Sequence, residues 1–156
     1  MMAERWSDIK ADIAAAKRHF AAAVRISEQA TFDLDNESHY DAAMALQHAM
    51  LAGYTSFELG LRRILALLGE DPPIGPDWHA ALVRRVATPI ENGRPAIISL
   101  SLSRDIGELM RFRQVAMHSY DDFDFERAKA AVAAATRFVA GIEGEIAAFR
   151  AVIDPD

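Results

Sequence analysis

At 156 residues and a net charge of −6, with 51% of side chains apolar and 26% charged, the sequence has the makeup of a folded globular protein, long enough for residues 1–156 to form one domain around a core of their own. The absence of cysteine excludes disulfides, thiolate metal sites and thiol nucleophiles, and it suits a cytoplasmic location. The acidic balance argues against nucleic-acid binding by bulk attraction; no apolar run reaches the roughly 18 residues of a membrane span, and an N-terminus with Glu4 and no apolar core does not read as a secretory leader.

A first helix is expected from Ser7 to Glu28, because Trp6, Ile9, Ile13, Ala16, Phe20 and Val24 recur at three- and four-residue steps and so share one face. Turn formers in TFDLDNES interrupt it. Ser38 followed by Asp41 matches a capping box and should open a long second helix, Ser38 to Leu68, that stops at GEDPPIGP. Its stripe reads Tyr40, Met44, Gln47, Leu51, Tyr54, Glu58, Leu61, Leu65 and Leu68. Glu58 thus stands in a seam built for core, where a carboxylate needs a hydrogen bond or an opposite charge.

A short helix follows, from Asp77 to Val86, and then ATPIENGRPAIISLSL, read as loop, with AIISL resembling a short strand. Ser103 is the expected cap of a fourth helix, Arg104 to His118, with Asp105 in its first turn. Asp124 is the expected cap of the last helix, Phe125 to Val152, with Glu126 in its first turn. The fold class is therefore all-α, a single bundle of four long helices and one short one.

Charge is uneven along this chain. Net charge is −4 over residues 1–59, +2 over 60–120 and −4 over 121–156, and all eight basic residues of the middle third are arginines. Arginine grips phosphate by paired hydrogen bonds, so the basic centre permits a phosphate-containing ligand. Within it, the fourth helix ends in RFRQVAMHSY, residues 111–120. Arginine and histidine at a helix C-terminus can simply answer the dipole and the free carbonyls. They can also do chemistry together. An imidazole titrates near neutral pH and can take the proton of an RNA 2′-hydroxyl, and a guanidinium can stabilise charge on the attacked phosphate. DNA lacks that hydroxyl.

The stretch Arg113-Gln114-Val115-Ala116-Met117-His118-Ser119-Tyr120 fits R-x4-H-x-Y at the end of the penultimate long helix. In this, in its helical layout and in the second-helix stretch AGYTSFELGLRRIL, the chain resembles HEPN-domain proteins close to the HepT-like toxins, the ribonuclease halves of toxin–antitoxin pairs. The resemblance implies a metal-independent endoribonuclease without cofactor, with Arg113 and His118 as the catalytic pair, in a homodimer whose two pairs face each other. It implies Tyr120 as the residue that a nucleotidyltransferase antitoxin modifies with AMP, placing charge and bulk beside the cleft. Gln114 departs from the asparagine, aspartate or histidine most often found after the motif arginine; it keeps the amide and adds a methylene.

Helix geometry leaves the phosphate ligand open. Residues five apart, such as Arg113 and His118, diverge by about 140°, whereas Arg111 and His118, seven apart, are nearly in line. If the last turn unwinds, Arg113 can swing toward His118; if it stays regular, Arg111 shares the histidine's face. Glu58 is a candidate to orient His118 or Arg113, or else to pair with an arginine on another helix. His19, His39, His48 and His79 show no metal-ligand spacing. Arg62-Arg63 and Arg84-Arg85 are either solvated faces or an RNA path, and Trp78 beside His79 either packs or stacks on a base. The alternative to an RNA-cutting enzyme is a HEPN-type helical subunit that partners a minimal nucleotidyltransferase and does not cut.

Overall fold

The computed structural model describes residues 2–29, 37–118 and 123–155. Its helices are α1 (Met2–Gln29), α2 (Glu37–Leu67), α3 (Trp78–Ala87), α4 (Leu100–His118) and α5 (Phe125–Ile153), and no strand occurs among the described residues. Helix α1 packs on α2 and α5, and α4 packs on α5 and α2, which closes a four-helix ring; α3 lies against α4. Gly53 faces Phe20 and Gly60 faces Ile13, so α1 and α2 run antiparallel. Arg63 Nε reaches Asp12 at 2.7 Å in the same register.

The periodic apolar faces turn inward as their spacing requires. Trp6, Ile9, Ile13, Ala16 and Phe20 form the buried face of α1 as expected, but it ends in Ala23, and Val24 is only partly buried; Phe138, Ile142, Ile146 and Phe149 form that of α5. Helix α2 is buried around more of its circumference because it contacts both α1 and α4. Phe138 meets Phe20 and Phe57 edge-on, each at 5.0 Å between ring centroids, so one aromatic trio joins α5, α1 and α2. Among the described residues no helix is long and apolar enough to cross a membrane.

Several sequence expectations shift. Tyr40 and Met44 belong to the apolar stripe of α2 but are exposed. The register set by Gly53–Phe20 and Gly60–Ile13 places position 44 opposite the last residue of α1, so the first turns of α2 overhang it. Helix α2 is already helical at Glu37, which puts Ser38 inside its first turn rather than ahead of it. Helix α4 begins four residues early: Ser99 Oγ accepts from the Leu102 N–H at 3.0 Å, and Ser103, expected to be the cap, instead donates to the Leu100 carbonyl. Asp105 consequently falls beyond the first turn, where it takes Arg137 Nε at 2.8 Å. The AIISL segment is not a strand. Ile97 and Ile98 are buried, and both give their N–H groups to the Val86 carbonyl at the end of α3. Asp124 caps α5 as expected, accepting from the Glu126 N–H at 2.9 Å.

Candidate functional site

A run of polar and aromatic side chains crosses the place where α2, α3 and α4 meet. Tyr54 and Glu58 are four apart on α2, so they share a face, and both are buried. Glu58 Oε2 lies 2.5 Å from His79 Nδ1 on α3. His79 in turn stacks on Trp78 at 3.7 Å between centroids, and Arg62 sits over the Trp78 ring at 5.8 Å. On the other side, the Arg113 guanidinium of α4 lies over the Tyr54 ring, 5.7 Å from its centroid. Arginine, aromatic ring, carboxylate and imidazole thus form one continuous run across three helices.

This arrangement fixes Arg113. The guanidinium is half-buried, its Nε is sealed from solvent, and among the described residues it has no hydrogen-bond partner. The aromatic face supplies the attraction that a carboxylate would otherwise give, without neutralising the charge. Burial pushes the Tyr54 phenol far above the ordinary tyrosine range; the charge of Glu58 adds to this and Arg113 opposes it. Tyr54 therefore stays a neutral ring under a cation.

His118 is placed differently. It is the last residue of α4, it is exposed, and it has no side-chain partner among the described residues. The helix is regular through His118, so the unwinding that would bring Arg113 round has not occurred at that point. The two side chains diverge by about 140° and are about 7.5 Å apart along the axis. Arg111, in line with His118, is exposed and paired with Glu108. Gln114 is exposed. Tyr120 lies outside the described residues.

Glu58 was expected to meet His118, Arg113 or another arginine; its hydrogen-bond partner is His79, which spacing had marked only as a non-ligand of metal. The signal available was the lone acid in an apolar stripe, which demands a donor without naming it. Trp78 packs partly buried against the core. Of the arginine pairs, Arg63 joins α2 to α1, and Arg85 donates to the Asp71 carbonyl at 2.9 Å. Those two are structural, whereas Arg62 and Arg84 are exposed. Among the described residues no group of three or more His, Asp or Glu side chains is arranged to hold a metal ion.

A family model described as HepT-like protein matches residues 45–153. This chain belongs to the HepT-like family. No curated protein and no solved structure matches it. The HepT-like segment begins within α2 and ends with α5, so it contains Tyr54, Glu58, His79, Arg113 and His118, and leaves α1 outside.

Proposed function

We propose that this HepT-like chain, one domain over residues 1–156, is the metal-independent endoribonuclease toxin of a toxin–antitoxin module. His118 takes the 2′-hydroxyl proton, the freed oxygen attacks the neighbouring phosphorus, and the 5′-oxygen leaves, giving a 2′,3′-cyclic phosphate. Arg113 binds the phosphate oxygens and stabilises the charge that grows on them. The observation that carries this reading is an exposed imidazole without a side-chain partner among the described residues, five residues after an arginine held on an aromatic ring, at one helix end of a family member.

On one helix these groups diverge, so the proposal requires a homodimer in which two α4 ends meet and arginines and histidines of both copies face one phosphodiester. A nucleotidyltransferase antitoxin would silence the cleft by attaching AMP to Tyr120. Purified protein should cut single-stranded RNA in EDTA, and His118→Ala should abolish this. Undiminished cleavage by that variant refutes the assignment. A second reading, a non-cutting subunit that binds a minimal nucleotidyltransferase, draws on the same divergence and on the net charge of −6. It requires a stable complex with that partner and no cleavage at any salt concentration.

A further inference from the structure

A second feature adjoins His118 and has no part in the chemistry above. Between α4 and α5 lies a groove of about 310 Å³, closed at its inner end by Gln47 of α2. That volume is at the small end of the roughly 300–1,000 Å³ found for ligand pockets. Its walls include the half-buried rings of Phe112 and Phe123 and the exposed side chain of Val115. Arg111 and Arg127 stand at its edge, but each is matched by an acid, Glu108 and Asp124. The rim therefore offers donors and acceptors with no net charge, which suits a neutral heterocycle and not a phosphate.

Gln47 decides the matter. It is 8% exposed, and its side-chain amide has no hydrogen-bond partner among the described residues. Its amide atoms are not sealed from solvent, so they stand open to a ligand that enters the groove. An amide presents one donor edge and one acceptor edge, which is the complement of a base edge. Arg111, Val115 and His118 follow one another at steps of four and three, so the groove's α4 wall runs on to the imidazole; Val115 precedes His118 by about 4.5 Å of helix rise.

We infer that this groove holds a nucleobase of the RNA next to the bond cut at His118, with the Gln47 amide reading the base edge. The inference takes its substrate from the endoribonuclease reading. It explains how an acidic protein would choose an RNA site: by the fit of one base, not by bulk charge.

The test uses the full-length protein and separates the two readings. In the first arm, the four ribonucleosides are titrated into the His118→Ala protein while the Gln47 side-chain NH2 signals and the backbone amide signals of Phe112, Val115 and Ala130 are followed by NMR, the backbone signals giving affinity in the Gln47 variants. One or two bases should bind, and Gln47→Leu should weaken them at least tenfold. Ala130→Trp, which fills the groove from an exposed position on α5, should block them. In the second arm, RNAs that differ only in the bases flanking the cut are compared. Gln47→Leu should flatten the preference at least tenfold, and Gln47→Glu, which only accepts, should shift it toward bases that present an amino group. If no nucleoside moves the Gln47 signals, or wild type and Gln47→Leu bind alike, the inference fails. If Ala130→Trp instead turns a dimer into a monomer without any nucleoside effect, the groove belongs to the contact between copies and the inference also fails. Cleavage that survives His118→Ala would remove the nuclease reading while leaving the first arm to judge the groove.

Discussion

His79 Nδ1 lies 2.5 Å from Glu58 Oε2, and this contact ties the short helix α3 to the buried seam of α2. Removing the imidazole leaves a carboxylate of 8% side-chain exposure with its partner gone. Breaking a buried pair from one side costs about 3–5 kcal/mol, and the partial exposure of His79 puts this case near the lower figure, about 3 kcal/mol. His79→Ala should lower the urea midpoint accordingly. The double variant Glu58→Leu with His79→Ala should recover most of the loss, because the stranded charge is gone. A double variant as unstable as the single one would mean that the contact contributes through packing and not through charge.

Tyr54 gives an alkaline signature. In the unfolded chain its phenol titrates near pH ~10, whereas burial and the nearby Glu58 carboxylate raise it in the folded protein. Below about pH 10 the proton is bound in both states and the stabilisation is complete. Above that pH the unfolded chain releases a proton that the folded chain keeps, so stability falls with rising pH by up to about 1.4 kcal/mol per unit from this group. Tyr54→Phe should flatten that decline between pH 10 and 11.5 in urea midpoints. Parallel curves for the two proteins would contradict the assignment.

Two glycines should respond in opposite directions. A Cβ on Gly53 would stand 2.9 Å from ring carbons of Phe20, which is itself fully buried against Phe138. Alanine gains about 1 kcal/mol as a helix former, but overpacking a closed core costs about 1–3 kcal/mol, so Gly53→Ala should destabilise. Gly144 is exposed on α5 with nothing within 4 Å of the added carbon. Gly144→Ala should therefore stabilise by about 0.5–1 kcal/mol. Calorimetric Tm values for the two variants should move apart.

The buried face of α1 was legible through Phe20 because a 3.6-residue period survives whatever packs on it, and Asp124 was legible because an acid directly before an apolar period has one local use. Ser99 and Ser103 are both good caps by local chemistry. The choice went to Ser99 because Ile97 and Ile98 bury themselves just ahead of it, a tertiary effect. His79 was illegible as the partner of Glu58 because the two are 21 residues apart on different helices. The divergence of Arg113 and His118 follows from their spacing alone. That Arg113 would rest on Tyr54 does not, since this depends on how α4 leans on α2.

Arg94 shows the same limit and gives another prediction. It lies in a polar stretch read as loop, yet it is buried. Its Nε and Nη2 grip both oxygens of Glu70 at 2.5 and 3.1 Å, and its Nη groups also donate to the carbonyls of Arg85, Thr88 and Pro95. Lysine cannot reproduce that fork. Arg94→Lys and Arg94→Ala should both destabilise, the latter by about 3 kcal/mol or more, and both should speed hydrogen exchange over residues 88–99. Exchange unchanged in Arg94→Ala would show that the loop is held by Ile97 and Ile98 alone.

Arg111 and Arg113, in the C-terminal half of α4, divide the remaining chemistry. Arg113 is fixed on an aromatic ring with its charge uncompensated by any carboxylate among the described residues, whereas Arg111 is exposed and already shared with Glu108. A preorganised cation loses less on meeting a phosphate than a solvated, paired one, and removing such a group costs about 10²–10³ in rate. If the endoribonuclease reading holds, Arg113→Ala should lower kcat by that factor and Arg111→Ala by less than tenfold. Tyr54→Leu, which removes the platform but leaves the arginine, should fall between them, while Tyr54→Phe retains the ring and most of the rate. The opposite ranking of the two arginine variants would transfer the phosphate to Arg111, the residue in line with His118, and would make the dimer unnecessary for bringing guanidinium and imidazole to one bond.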